Sequence, residues 1–181
     1  QWLKAGVLDE GNIRRPESGT PQGGVLSPLL SNIYLHEIDK LWCDNKSIRL
    51  VRYADDAVFL CRSEAQAYWV LGELKKQLSA LSLTLNEEKT KVCHVREGFN
   101  FLGFTYKEAY SHRCLKPVRI KYPNPKRLVG MQRRIKEAVK ELPLGIHLTE
   151  VIKVVNRKLS GWAQYFKIGN SYEAALKLSN F

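Results

Sequence analysis

The chain contains no apolar run approaching the roughly 20 residues that a membrane-spanning helix needs, and Gln1-Trp2-Leu3-Lys4 lacks the layout of a secretory leader. Both absences give a cytoplasmic location as the expectation, with no membrane as partner. Cysteine is sparse: Cys43, Cys61, Cys93 and Cys114 are scattered without a Cys-x-x-Cys pair, and His36, His94, His112 and His147 are equally dispersed. That spacing argues against zinc and dithiol motifs and leaves free thiols of a reducing compartment, two of them (Cys61, Cys93) in expected strands. Internal repeats and low-complexity tracts are absent, and so is an initiator methionine. Gln1-Trp2-Leu3-Lys4-Ala5 reads as the last turn of a helix stopped at Gly6, so the chain is expected to begin inside a longer protein.

Acidic residues are what the last third lacks. Residues 1–110 hold 14 basic and 14 acidic side chains, whereas residues 111–181 hold 15 basic and 4 acidic, so the whole net charge of +11 lies there. A polyanionic partner fits that end. Nucleic acid ranks ahead of anionic lipid because the apolar residues among those charges are spaced as a helical core.

What is present reads as an α+β pattern. Residues 7–15 are turn-like, a small hairpin or a loop. A glycine-rich segment, 19–28, feeds a helix reaching about Cys43, with Ser27 as cap, Pro28 at the first position and an apolar stripe of Leu30, Ile33, Tyr34, Ile38 and Leu41. Ser63 and Gln66 form a capping box ahead of a second helix whose stripe is Ala67, Val70, Leu71, Leu74, Leu78 and Leu81. Strands are expected at 83–85 and 90–95 around the polar turn 86–89, and again at 99–106 and 114–120. Together with a hairpin at 48–61 they make one mainly antiparallel sheet backed by helices. Tyr122-Pro123-Asn124-Pro125 reads as a linker. Beyond it come an amphipathic helix at 126–142, a helix capped by Thr149, and short helical pieces at 161–168 and 172–178, expected as a small bundle.

The stretch with chemistry in it is Arg52-Tyr53-Ala54-Asp55-Asp56-Ala57-Val58. Alternating and apolar runs flank it, so Asp55 and Asp56 should sit at the turn of a hairpin. Adjacent carboxylates repel one another, and a divalent cation relieves that repulsion. Magnesium takes one or two carboxylates plus waters and substrate phosphates, so this turn, in a chain with a basic arm, points to metal-assisted phosphoryl transfer.

Tyr53-Ala54-Asp55-Asp56 resembles the Tyr-x-Asp-Asp signature of reverse transcriptases. Pro21-Gln22-Gly23-Gly24-Val25-Leu26-Ser27-Pro28 is similar to the family's glycine-rich segment. Leu83-Thr84-Leu85-Asn86-Glu87-Glu88-Lys89-Thr90 resembles the motif that follows the catalytic hairpin, and Phe101-Leu102-Gly103-Phe104 the segment supporting the primer end. The motifs stand in the family's order. Val155-Asn156-Arg157-Lys158-Leu159-Ser160-Gly161-Trp162-Ala163-Gln164-Tyr165-Phe166 resembles the maturase, or thumb, region of group II intron reverse transcriptases.

The resemblance implies a partial reverse-transcriptase palm over residues 1–121, the linker 122–125, and an all-α thumb over 126–181. It implies two magnesium ions at Asp55 and Asp56, Tyr53 near the primer end, and Gln22 and Gly23 against the templating pair and incoming nucleotide. Lys89 matches a lysine near the nucleotide phosphates; a solvated turn lysine is its other reading. Phosphate contacts are expected from Lys126, Arg127, Arg133, Arg134, Lys136, Lys140, Arg157 and Lys158. The spacing of Trp162, Tyr165 and Phe166 fits core packing, with base stacking as the alternative.

One departure matters. The family takes a third carboxylate from a strand ahead of the glycine-rich segment, and the turn-like setting of Asp9 and Glu10 suits neither to that role. The expected activity is therefore magnesium-dependent RNA-directed DNA synthesis in an intact parent, with intron RNA, an RNA template, a DNA primer and deoxynucleotides as partners. The chain alone is expected to be inactive, to need the N-terminal portion, and to self-associate. The alternative is an RNA-binding maturase module that assists splicing without polymerising.

Overall fold

The structure, a computed structural model, describes residues 7–9, 12–14 and 26–181. The helical turn expected at the start and the glycine-rich segment with Gln22 and Gly23 lie outside the described residues. Two compact units divide the chain, Gln1–Val92 and Cys93–Phe181. Among the described residues, five helices and short antiparallel sheets give an α+β architecture. None of the described helices is long and apolar enough to cross a membrane.

In the first unit, β1 (Val7–Asp9) and β2 (Asn12–Arg14) pair antiparallel, the hairpin of the two forms left open for this stretch. Helix α1 (Ser27–Cys43) starts with Leu26 in the cap position and Pro28 in its first turn, so Ser27 opens the helix and does not cap it. Strands β3 (Arg49–Tyr53) and β4 (Asp56–Leu60) form the expected hairpin. Helix α2 (Glu64–Ala80) follows its capping pair: Ser63 Oγ accepts from the Gln66 amide at 3.2 Å, and Gln66 Oε1 accepts from the Arg62 amide at 2.7 Å.

The core of this unit is Ile38, Trp42, Ile48, Val70 and Leu78, with Leu35, Leu50, Phe59, Leu74 and Leu81 packed around it. Trp42 meets Phe59 edge-on at 5.2 Å, and its indole N–H donates to Gln77 Oε1 at 2.9 Å. The α2 stripe read from sequence is the buried one. The α1 stripe is so only in part: Ile38 reaches the core together with Leu35 and Trp42, while Ile33 and Leu41 are each 60% exposed. Helix α1 is apolar on two sides, so periodicity alone could not choose between them.

The strands expected at 83–85 and 90–95 do not form. Leu83 and Leu85 pack against the core cluster instead, and Asn86 closes a tight turn whose carbonyl accepts from the Thr90 amide at 3.0 Å and whose side chain accepts from the Lys89 amide at 3.1 Å. Side-chain burial and an Asx turn satisfy this segment without a ladder. The expected single sheet is therefore three separate ones among the described residues.

In the second unit, β5 (Phe99–Phe101), β6 (Phe104–Ser111) and β7 (Lys116–Pro123) make an antiparallel meander. Residues 122–125, expected as a linker, are the end of β7, the cap and the first helical residue: Asn124 Oδ1 accepts from the Lys126 amide at 2.9 Å and α3 (Pro125–Lys140) begins at once. Proline at that first position loses no helical hydrogen bond and carries a suitable φ. Helix α4 (Leu148–Phe166) is capped by His147, whose Nδ1 accepts from the Thr149 amide at 3.3 Å, so Thr149 lies inside the helix. It continues through Gly161 as one 19-residue helix rather than separate pieces, and α5 (Tyr172–Ser179) completes the bundle.

Phe104, Pro123, Met131, Ala138, Phe166 and Leu178 are the buried residues of this unit. Phe166 anchors an aromatic cluster, with ring centroids 4.9 Å from Phe104, 4.7 Å from Trp162 and 4.8 Å from Tyr165. The loop between α4 and α5 is fastened to β7. The Asn170 amide donates to the Lys121 carbonyl at 2.6 Å, and a Cβ on Gly169 would stand only 2.7 Å from that oxygen.

Candidate active-site hairpin and nucleic-acid interface

Strands β3 and β4 pair over five registers, ending at Tyr53 opposite Asp56, so Ala54 and Asp55 alone make the turn. Ala54 takes φ 53°, in the left-handed region. A residue with a Cβ is disfavoured there by about 1–2 kcal/mol. The Arg52 guanidinium donates to the Ala54 carbonyl at 2.8 Å, and a hydrogen bond from a charged donor contributes about 1.5–3 kcal/mol. The bond is of a size to offset the backbone cost.

Asp55 and Asp56 are exposed, and neither is paired with a cation among the described residues. Tyr53, 65% exposed, stands beside them. Two adjacent carboxylates, Asp55 in the turn and Asp56 at the start of β4, with no cation paired to them among the described residues, suit a hard divalent cation that keeps waters and takes further ligands from phosphate. Among the described residues no group of three or more His, Cys, Asp or Glu could hold a metal ion.

Arg52, which belongs to no motif named above except as the flank of Tyr53-Ala54-Asp55-Asp56, is the hub behind this turn. Its Nε donates to Asp39 Oδ1 at 2.8 Å, one terminal nitrogen pairs with Asp39 Oδ2, and the other reaches Asn32 Oδ1 at 2.9 Å as well as Ala54. Hydrogen bonding to Arg52 holds the Asp39 carboxyl below the ordinary carboxylate range, against the opposing effect of burial. The available signal was spacing. Asn32 and Asp39 are seven residues apart, two helical turns, and so share a face of α1.

Lys89 lies exposed in the Asn86 turn, in the same unit as the hairpin. Beside that turn, Glu87 Oε1 pairs with Lys75 at 2.5 Å, and this bond lowers the Glu87 carboxyl. Phe101-Leu102-Gly103-Phe104 is a second two-residue turn, in the other unit. Leu102 (φ 49°) and Gly103 (φ 79°) both occupy the left-handed region, as a type I′ hairpin requires. A Cβ at Gly103 would meet Arg127 Nε at 3.4 Å and Phe166 at 3.6 Å.

All eight basic residues expected to contact phosphate are exposed, six of them on α3 and Arg157 and Lys158 on α4. Lys126, Arg133, Lys136 and Lys140 recur at helical spacing along one side of α3. Arg133 has Glu137 at 3.4 Å, and Lys136 lies 4.9 Å over the Phe181 ring. The second unit holds 17 basic and six acidic residues, hence the entire net charge of +11. Of the three aromatic residues considered for stacking, Phe166 is buried, whereas Tyr165 is 52% exposed with its hydroxyl bonded to the protein.

Residues 1–106 match the reverse transcriptase (RNA-dependent DNA polymerase) family, and residues 128–181 match the group II intron maturase-specific domain. Protein YkfC of Escherichia coli (strain K12) is 37% identical over 135 residues, 56% of this chain and 35% of that protein. Group II intron-encoded protein LtrA of Lactococcus lactis subsp. cremoris is 24% identical over an alignment covering 95% of this chain and 43% of that protein. An uncharacterized 91 kDa protein in the cob intron of Schizosaccharomyces pombe is 50% identical over 38 residues, 21% of this chain and 5% of that protein. The chain thus spans less than half the length of the curated relatives it matches. With a polymerase match over its first part and a maturase match over its last, the chain belongs to the group II intron reverse transcriptase/maturase family.

Proposed function

We propose that Asp55 and Asp56 are metal ligands for RNA-directed DNA synthesis by the protein to which this chain belongs. The observation that carries this reading is the pair of exposed carboxylates at the hairpin tip, Asp55 in the turn and Asp56 at the start of β4, paired with no cation among the described residues. Bound there, magnesium would activate the attacking 3′ oxygen and neutralise charge on the departing pyrophosphate. The chain's own part is to hold both carboxylates on rigid strands, to offer Tyr53 beside the primer end, and to place Gln22, Gly23 and Lys89 near template and nucleotide. In this reading residues 1–121 serve as palm, 126–181 as thumb, and 101–104 as support for the primer end.

Primer extension on an RNA template tests it. Extension is expected of the protein reconstituted to the length of its relatives, with Asp55→Asn abolishing it. Polymerisation that survives Asp55→Asn in the reconstituted protein sinks the assignment.

A second reading, RNA binding in aid of splicing without polymerisation, is favoured by one observation: the net charge sits wholly in the unit carrying α3 and α4. Intron RNA is the polyanion that the maturase-specific match suggests. Binding that is indifferent to Asp55→Ala and absent after charge reversal on α3 supports this reading, and it is compatible with the first. The cytoplasm is where both would operate, with the nucleoid or an organelle as alternatives.

A further inference from the structure

Arg52 spends four hydrogen bonds on three groups, and only one of those groups belongs to the hairpin turn. A guanidinium is planar, with its donors in a fixed fork. Once Nε and one terminal nitrogen engage both oxygens of Asp39, the direction of the remaining nitrogen is set by that plane. It points at Asn32 Oδ1 and at the Ala54 carbonyl, 2.9 and 2.8 Å away. Asp39 and Asn32 both stand on α1, which is anchored in the core through Ile38 and Trp42.

The carbonyl so held is not an arbitrary one. The C=O of Ala54 and the N–H of Asp55 lie in one rigid peptide plane, and Ala54 carries the left-handed φ that reverses the chain. Fixing that oxygen fixes the plane from which the Asp55 side chain springs, with Asp56 one residue on.

We infer that Arg52 is a positioning residue for the carboxylate pair: through the Ala54 carbonyl it locks the peptide plane before Asp55 to helix α1. Its purpose rests on the reading of Asp55 and Asp56 as metal ligands, while its geometry does not. A role confined to tying β3 to α1 would change stability and leave the turn as it is. Lysine keeps the charge but has no planar fork, so Arg52→Lys separates the two roles.

The experiment is hydrogen–deuterium exchange of the chain as it stands, comparing the turn (residues 53–57) with the strands on either side, together with Mn2+ titration followed by electron paramagnetic resonance. In Arg52→Lys the turn amides are expected to exchange roughly tenfold faster relative to the strands, the loss of about one charged hydrogen bond. Mn2+ binding that depends on Asp55 is expected to weaken several-fold. Turn exchange that keeps pace with the strands overturns the inference. Should Arg52→Lys fail to fold, Asp39→Asn keeps the arginine, removes the charged partner and is read by the same criterion. Mn2+ binding that ignores Asp55→Asn in the otherwise unchanged chain sinks the metal-ligand reading by itself, and the exchange comparison still decides the lock.

Discussion

Tyr165 on α4 donates its phenolic hydrogen to the Leu102 carbonyl, 2.8 Å away across 63 residues of sequence. The bond ties a helix of the maturase-specific match to the tip of the hairpin that carries Phe101-Leu102-Gly103-Phe104. Tyr165→Phe should keep the ring contacts and lose about 0.5–1.5 kcal/mol, measured by urea unfolding. Gly103→Ala should cost about 1–2 kcal/mol for the left-handed backbone, its Cβ meeting Arg127 and Phe166 at ordinary contact distances. An unchanged midpoint for Gly103→Ala would contradict the turn geometry.

Phe166 and Gly161 sit five residues apart on α4 and should respond in opposite directions. Phe166 is 5% exposed and touches three other rings, so Phe166→Ala is expected to cost about 3–5 kcal/mol. At Gly161 an added Cβ meets nothing within 4 Å. Gly161→Ala should therefore raise stability by about 0.5–1 kcal/mol, because glycine inside a helix is disfavoured by that much. Thermal unfolding of both variants checks the pair. A destabilised Gly161→Ala would show that α4 is not continuous there.

Much of this was legible beforehand, for identifiable reasons. The Asp55-Asp56 hairpin, the Ser63–Gln66 cap and the α2 stripe are local patterns whose determinants lie within a few residues. The failures share a cause. Leu83 and Leu85 alternate like a strand, but alternation describes which side is buried and not whether a partner strand exists. Ile33 and Leu41 fit a helical stripe as well as Leu35 and Trp42 do, and only tertiary packing selects the buried face. Arg52 leaves no local pattern because its α1 partners lie 13 and 20 positions away.

Acid should loosen the first unit in a defined way. Asp39 is held below its ordinary value by Arg52, with His36 Nδ1 at 3.7 Å the other titratable group facing it. A carboxylate depressed on folding contributes stability that is present above its unfolded value, 3.8, and lost as pH falls through the folded value. Unfolding free energy should therefore decline below about pH 5, and Asp39→Asn should flatten that decline while lowering stability at neutral pH. An identical acid slope in the variant refutes the linkage. The lowered Glu37 and Glu87 carboxyls are fully exposed, so salt should screen their share.

RNA affinity should fall steeply with salt, since each phosphate contact releases counterions. Reversing Arg133 and Arg134 to glutamate should weaken binding and reduce the log–log salt slope by roughly 1–2, with Asp55→Ala leaving both unchanged. Filter binding at several salt concentrations measures it. A slope unaffected by the reversal moves the RNA surface away from α3.

The face of α1 turned from the core presents Leu29, Ile33, Tyr34 and Leu41, between 48% and 60% exposed, and α2 adds Tyr68 and Trp69. Apolar surface of this kind favours association. Light scattering across a wide concentration range should show self-association that Ile33→Glu with Leu41→Glu suppresses. A chain monomeric throughout would leave this surface without the expected consequence.

The fastening of Gly169 and Asn170 to Lys121 bears on how the second unit comes apart. Strand β7 runs into α3 through a single capping residue, and the loop after α4 returns to bond the same strand. Lifting the loop after α4 from the meander breaks the main-chain bond between Asn170 and Lys121. Sheet and helices should therefore melt in one cooperative step, and a cut near residue 125 should release no independently folding helical piece.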